Sequence, residues 1–199
     1  MRGLFVTFEG IDRSGKTTQA GLLVDALGDE ALGVREPGGT PAGEKVRELL
    51  KDTAVSLSPE AEALLFAAAR SELVAEVILP ALDEGKVVIS DRFLDSSLAY
   101  QGGARGLGIE DVERVNHFAI RGLKPDVTFL LEVSPEEAAA RAGEQDRFEG
   151  EGSELQQAVE ATYERLVAAD PDRWVRIDAT RSPDEVHADV LAAVRELRE

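Results

Sequence analysis

Apolar residues recur along this chain in two rhythms. Short unbroken runs rich in β-branched and aromatic side chains occupy residues 3–8 (GLFVTF), 86–90 (KVVIS), 127–133 (VTFLLEV) and 175–177, with a further short run at 32–35. Runs of this length bounded by turn residues predict buried strands. Between them the apolar positions fall three and four apart, as with Ala20, Leu23, Val24 and Leu27 within 16–27, which is the spacing of one helical face. Ser58-Pro59-Glu60, Ser134-Pro135-Glu136-Glu137 and Ser182-Pro183 each place a capping hydroxyl ahead of a proline at the first helical position, a pattern that opens helices. The first of these helices is expected to run to about residue 83. Pro37-Gly38-Gly39 closes the second strand, and the polar, glycine-containing stretch 143–152 is the expected mobile loop. Strands alternating with helices imply βαβ units, hence an α/β fold with a mainly parallel sheet covered on both faces. No linker divides the chain, so one domain is expected over residues 1–199.

Composition narrows the chemistry. Lys and Arg number 22 against 39 Asp and Glu, a net charge of −17. Such a surface repels polyanions, so neither nucleic acid nor an anionic membrane is an expected partner. A phosphate-bearing ligand must then be held by a few local cations and backbone N–H groups. The absence of cysteine removes disulfides, thiolate metal sites and a thiol nucleophile, and a cytoplasmic protein is expected. The only histidines are His117 and His187, both in helical stretches, and Asn116 is the only asparagine. The first residues hold too short an apolar run for a signal segment, and no window suits a membrane span.

Gly10-Ile11-Asp12-Arg13-Ser14-Gly15-Lys16-Thr17 fits G-x-x-x-x-G-K-[ST], between a predicted strand and a predicted helix. Its glycines let successive N–H groups point at a phosphate, the helix N-terminus adds its dipole, Lys16 reaches the β- and γ-phosphates, and Thr17 can hold Mg²⁺. A second cluster, Asp91-Arg92-Phe93 followed by Ser96, Ser97, Tyr100 and Gln101, begins where the third strand ends. Ligands of open parallel sheets bind at those carboxyl ends. An acid there can anchor Mg²⁺, and the arginine beside it can fork onto an acceptor phosphate.

The chain also resembles a known family. GLFVTFEGIDRSGKTTQ, REPGGTPAGEKVREL, LLFAAAR and DRFLDSSLAYQGG, in that order, with LKPDVTFLLEVSPEEAAAR and a later DRFE, are similar to the thymidylate (dTMP) kinases over nearly the whole length. The resemblance implies a P-loop kinase fold with a five-stranded parallel sheet, a mobile LID at about 142–152, a homodimer, and transfer of the γ-phosphoryl of Mg·ATP to dTMP. It places ATP on Gly10, Ile11, Asp12, Arg13, Ser14, Gly15, Lys16, Thr17 and Thr18, with Arg141. The metal falls to Thr17 and Asp91. For dTMP it implies Phe66 stacked on the base, Arg70 on its O4, and Ser96, Ser97 and Gln101 along base and sugar, with Pro37 and Tyr100 nearby. Arg92 and Arg47 would grip the 5′-phosphate, and Asp12 and Glu36 would lie near the sugar hydroxyl or the metal. Many bacterial members carry a small residue at the position of Arg13 and several basic residues in the LID. Here Arg13 stands in the loop itself and the LID holds only Arg147, so Arg13 is read as a built-in arginine finger assisted by Arg147 and Arg141. Lys16, Arg13, Arg92, Asp91 and Arg147 form the expected catalytic set.

The residues give that picture a physical basis. Phe66 and Arg70 lie four apart on one predicted helix and share a face, and Arg presents donors only, which suits a keto oxygen and opposes an amino group. The 59–83 helix offers Leu65, Ala69, Leu73, Val74 and Val77 for packing, either within one subunit or across a dimer. A competing reading as a guanine-nucleotide switch fails at Leu123-Lys124-Pro125-Asp126, which lacks the amide such a motif needs.

Overall fold

The computed structural model describes residues 2–141 and 152–198. Five parallel strands, β1 (Phe5–Glu9), β2 (Ala31–Arg35), β3 (Val87–Asp91), β4 (Val127–Glu132) and β5 (Trp174–Asp178), form one sheet in the order β2-β3-β1-β4-β5. The register sets Phe5 beside Val88, Val6 beside Val127 and Thr128 beside Trp174. Each strand lies within about a residue or two of its predicted range. The connection leaving β1 runs outward to β2, whereas that leaving its neighbour β3 runs the opposite way to β4, so the two part at the carboxyl ends of β1 and β3. Such a switch point opens a crevice for ligands.

Helices cover both faces, as the apolar runs require. Val6 and Phe8 pack with Leu23 of α1 (Lys16–Leu27), Phe129, and Val190 and Val194 of α9 (Pro183–Glu196). Phe5 and Val88 pack on the other side against Leu73, Ile78 and Leu82, with Phe93 edge-on to Phe5 at 4.9 Å between centroids. Each such side chain, fully buried, contributes about 1.5–3 kcal/mol relative to exposure. The predicted caps form: the Ser58 hydroxyl accepts from the Ala61 N–H, and Ser134 and Ser182 close reciprocal boxes with Glu137 and Glu185. Among the described residues the remaining α-helices are α2 (Pro41–Lys51), α3 (Pro59–Leu73), α4 (Leu79–Asp83), α5 (Leu94–Ser97), α6 (Ile109–Ile120), α7 (Pro135–Ala140) and α8 (Ser153–Ala169).

The long helix expected from 59 to about 83 is present with an interruption. Residues 74–78 widen into a π turn between α3 and α4. Pro80 lies just beyond it, and a proline has no N–H for the carbonyl four residues back and crowds it; a wider turn absorbs the mismatch. Ala69, Leu73 and Val74, offered above for packing, are buried inside the subunit. Among the described residues the large apolar side chains left exposed are Leu49, Leu64, Val115, Phe118 and Leu197, with Phe118 87% exposed. Among the described residues no helix is long and apolar enough to cross a membrane.

Candidate active site

The loop from Gly10 to Gly15 leaves β1 and enters α1 at the switch point. Gly10 has φ +138°, and a Cβ there would lie 2.6 Å from the Leu131 carbonyl oxygen, so no other residue fits. Arg13 takes a left-handed φ of 61°. Lys16 is 5% exposed, and its Nζ donates to the Ile11 carbonyl at 2.6 Å, the Gly10 carbonyl at 3.1 Å and the Ser14 hydroxyl at 3.2 Å. Burial and the nearby Arg92 push the ammonium down to about 8, against the pull of Asp12, Asp91 and Glu9. The Thr17 hydroxyl donates to Asp91 Oδ2 at 2.5 Å, which joins the end of β3 to the start of α1. These two oxygens are hard donors suited to Mg²⁺, which completes its shell with water and phosphate oxygens rather than a protein cage. Among the described residues no cluster of three acidic, His or Cys ligands exists to suit a different metal.

Arg92 follows directly, with φ 72°. Its backbone N–H is tied to the Phe8 carbonyl at 3.0 Å, and its guanidinium donates to Asp12 and, at 3.0 Å, to Ser96 Oγ. It also lies over the Tyr100 ring, 5.1 Å from the centroid. A left-handed backbone at a non-glycine residue is sparsely populated and persists only when its surroundings hold it. Burial raises the Asp12 carboxyl, but Arg92 and Lys16 outweigh it and hold the group below its ordinary range. Gln156 of α8 donates to Asp12 Oδ2 at 2.8 Å. Glu9, the last residue of β1, is fully buried and accepts from the Phe93 N–H at 2.8 Å, Ser96 Oγ at 2.5 Å and the Tyr163 hydroxyl at 2.8 Å. Burial and Asp95 push it up to about 7 despite those bonds and Arg92. Ser96 gives its proton to Glu9 and accepts from Arg92, which can only donate, so its hydroxyl links the two.

The other end of the same cavity is built on α3. Arg70, 1% exposed, donates from Nε to Glu36 at 2.8 Å, from one terminal nitrogen to Asn116, and from the other to the Phe93 carbonyl at 3.1 Å and Ser97 Oγ at 3.0 Å. Asn116 Nδ2 is itself held by the Val112 carbonyl. Glu36, expected near the sugar hydroxyl or the metal, thus gives one oxygen to Arg70 at this end of the cavity, while its buried Oε1 has no hydrogen-bond partner.

A cavity of about 350 Å³ joins the two ends, lined by every residue expected around dTMP: Asp12, Glu36, Pro37, Arg47, Phe66, Arg70, Arg92, Ser96, Ser97, Tyr100 and Gln101. Arg35 and Lys51 also line it and were not anticipated. A second cavity of about 600 Å³ lies across the loop, lined by Ser14, Gly15, Thr18 and Arg141 as expected, and also by Gln19, Leu131, Ala179, Arg181 and Pro183. Of the residues expected to bind ATP, Gly10 and Ile11 line neither cavity, and Asp12 lines the first rather than the second. Arg141 donates to the Arg13, Ser14 and Ala179 carbonyls, and Arg13 donates back to the Arg141 carbonyl at 3.2 Å. Arg147 and residues 142–151 of the expected LID lie outside the described residues. Arg13, Lys16 and Thr17 line both cavities.

Two cavities meeting at one phosphate-binding loop, at the switch point of a five-stranded parallel sheet, define a P-loop nucleotide kinase. Comparison with known proteins specifies which. Residues 8–190 match the family model described as thymidylate kinase. A thymidylate kinase of Caldanaerobacter subterraneus subsp. tengcongensis is 50% identical, covering 98% of this chain and 97% of its own. Those of Pelotomaculum thermopropionicum and Lactobacillus helveticus are 49% and 45% identical, with 99% and 98% of this chain covered and 95% and 96% of theirs. The chain belongs to the thymidylate kinase family.

Proposed function

We propose that this protein transfers the γ-phosphoryl group of ATP to dTMP, giving dTDP and ADP, within a single kinase domain. The observation that carries the reading is that Arg13, Lys16 and Thr17 line both cavities: a phosphoryl group can pass from one nucleotide to the other without leaving the loop. On this reading ATP occupies the larger cavity, its phosphates on the loop N–H groups and Lys16, and dTMP the smaller. Phe66 stacks on the thymine, Arg70 donates to O4, and Ser96, Ser97 and Gln101 follow base and sugar. Arg92 and Arg47 hold the 5′-phosphate. The second pKa of a phosphate monoester is near 6, so the acceptor arrives as a dianion at pH 7 and no general base is required. Positioning and charge neutralisation remain, and these are the main requirements of phosphoryl transfer. Lys16 and Arg13 face the bridging region; Arg141 fixes the Arg13 backbone, and Arg147 is assigned to assist. Mg²⁺, held by Thr17 and Asp91, supplies further neutralisation of phosphate charge.

A panel of nucleoside monophosphates with ATP tests this. ADP release that depends on dTMP, with dCMP far behind, is the expected result. ADP release independent of any acceptor, or a different preferred monophosphate, overturns the reading. The cytoplasm is the proposed location. A homodimer is also proposed, supported by the exposed Leu64, Val115 and Phe118; sedimentation at micromolar concentration should give twice 21.4 kDa, and a monomer alone refutes it.

A further inference from the structure

Glu62, Phe66 and Arg70 stand four residues apart along α3, so all three lie on one face. Phe66 and Arg70 line the smaller cavity; Glu62 does not, being 2% exposed and placed behind Gln101. The Gln101 Nε2 donates to Glu62 Oε1 at 3.0 Å. Arg105 approaches the same carboxylate from the far side, with Nε and one terminal nitrogen each at 3.2 Å from its two oxygens. The Arg105 backbone N–H is in turn bonded to the Tyr100 carbonyl at 2.8 Å, so cation, carboxylate and glutamine are fixed to one short segment.

This arrangement settles which end of an amide faces the ligand. A side-chain amide offers a donor end and an acceptor end. An ionised carboxylate only accepts, so the amide must give Glu62 its NH₂ group. Gln101 is itself 2% exposed, with little room to swing away. Its oxygen remains for the cavity, where it suits a base carrying N–H at the ring nitrogen of the pairing edge, as thymine does. It opposes cytosine, which carries a lone pair there. We infer that Glu62, held by Arg105, is a positioning residue that fixes the polarity of the Gln101 amide and thereby contributes to the choice of base. The inference rests on the dTMP reading of the cavity.

Glu62→Gln tests it. A glutamine at 62 can donate as well as accept, so the Gln101 amide can invert and present its amino group to cytosine. The kcat/KM ratio of dTMP to dCMP is expected to fall at least about tenfold, the scale set by a mispaired buried polar group, chiefly through a higher KM for dTMP. In a Gln101→Ala background the same change should leave the ratio alone, whereas a merely structural role would lower both acceptors together in either background. Glu62→Asp, which withdraws the carboxylate by one methylene, should move the ratio in the same direction and carries the test if E62Q does not fold. An unchanged ratio in a folded variant overturns the assignment while leaving the kinase reading intact. Failure of the parent enzyme to prefer dTMP over dCMP overturns both.

Discussion

The two cavities share Arg13, Lys16 and Thr17 yet are built by different means. Around the smaller one, three buried carboxylates each hold a polar side chain of its wall: Glu9 holds Ser96, Glu36 holds Arg70 and Glu62 holds Gln101. Around the larger one, side chains bond to backbone instead. Arg141 ties together the carbonyls of Arg13, Ser14 and Ala179, and Gln19 bonds the Pro183 carbonyl. Backbone N–H groups recognise charge and shape, whereas a side chain of fixed polarity recognises a particular arrangement of donors and acceptors. Discrimination should therefore reside in the smaller cavity and phosphate affinity in the larger.

The strongest way to break that division is to change the acceptor base. Cytosine sets an amino group against the Arg70 donors, and sites built around a buried polar contact can reject a mismatch by about 10⁴-fold or more. The kcat/KM of dCMP should fall below that of dTMP on that scale. Equal values would remove Arg70 from base recognition. The next effect concerns the shared loop. Arginine fingers are worth roughly 10³–10⁵ in kcat, part of which Arg147 can replace. Arg13→Ala should lower kcat at least about tenfold on that scale with dTMP affinity little changed, because contacts made mainly in the transition state register in kcat. Arg92→Ala should damage dTMP binding as well. Near-parental kcat in Arg13→Ala, with activity abolished by Arg147→Ala, would assign the role to the LID instead.

The smallest effect is a titration. Burial and Arg92 depress the Lys16 ammonium to about 8, so the free enzyme loses this charge as the pH rises through that value. With protonated Lys16 needed to receive the triphosphate, kcat/KM for ATP should lie about tenfold below its neutral plateau one unit above the pKa. The kcat of the saturated enzyme should hold to higher pH, since bound phosphates favour the charged lysine. A kcat/KM that stays flat to pH 10 would show that Lys16 is not so depressed.

Much of this was legible in the sequence for identifiable reasons. Capping serines, apolar runs and the G-x-x-x-x-G-K-T spacing are local signals, and the strands, helix starts and loop follow from them. Phe66 and Arg70 came from the family resemblance, with their helical spacing as physical support; extending that spacing one step back reaches Glu62, a signal present but not used. Glu9 and Asn116 gave none. Glu9 ends an apolar run and Asn116 sits inside a helix, and their partners Ser96 and Arg70 lie 87 and 46 residues away. The donor wall is similarly non-local, assembled from Leu131, Ala179, Arg181 and Pro183. The π turn at 74–78 could have been suspected from Pro80.

The burial of Arg70 against Glu36 constrains how this pocket can drift over evolutionary time. With side chains 1% and 3% exposed and 2.6 Å between charged atoms, neither partner can be exchanged alone without stranding the other charge, a loss of about 3–5 kcal/mol. That is a large share of the stability of an ordinary domain. A lineage moving toward another base would have to replace arginine and glutamate together, with Asn116 left to find a new donor. Ancestry can therefore wander widely across this acidic surface while the acceptor pocket is locked by the folding cost of changing it.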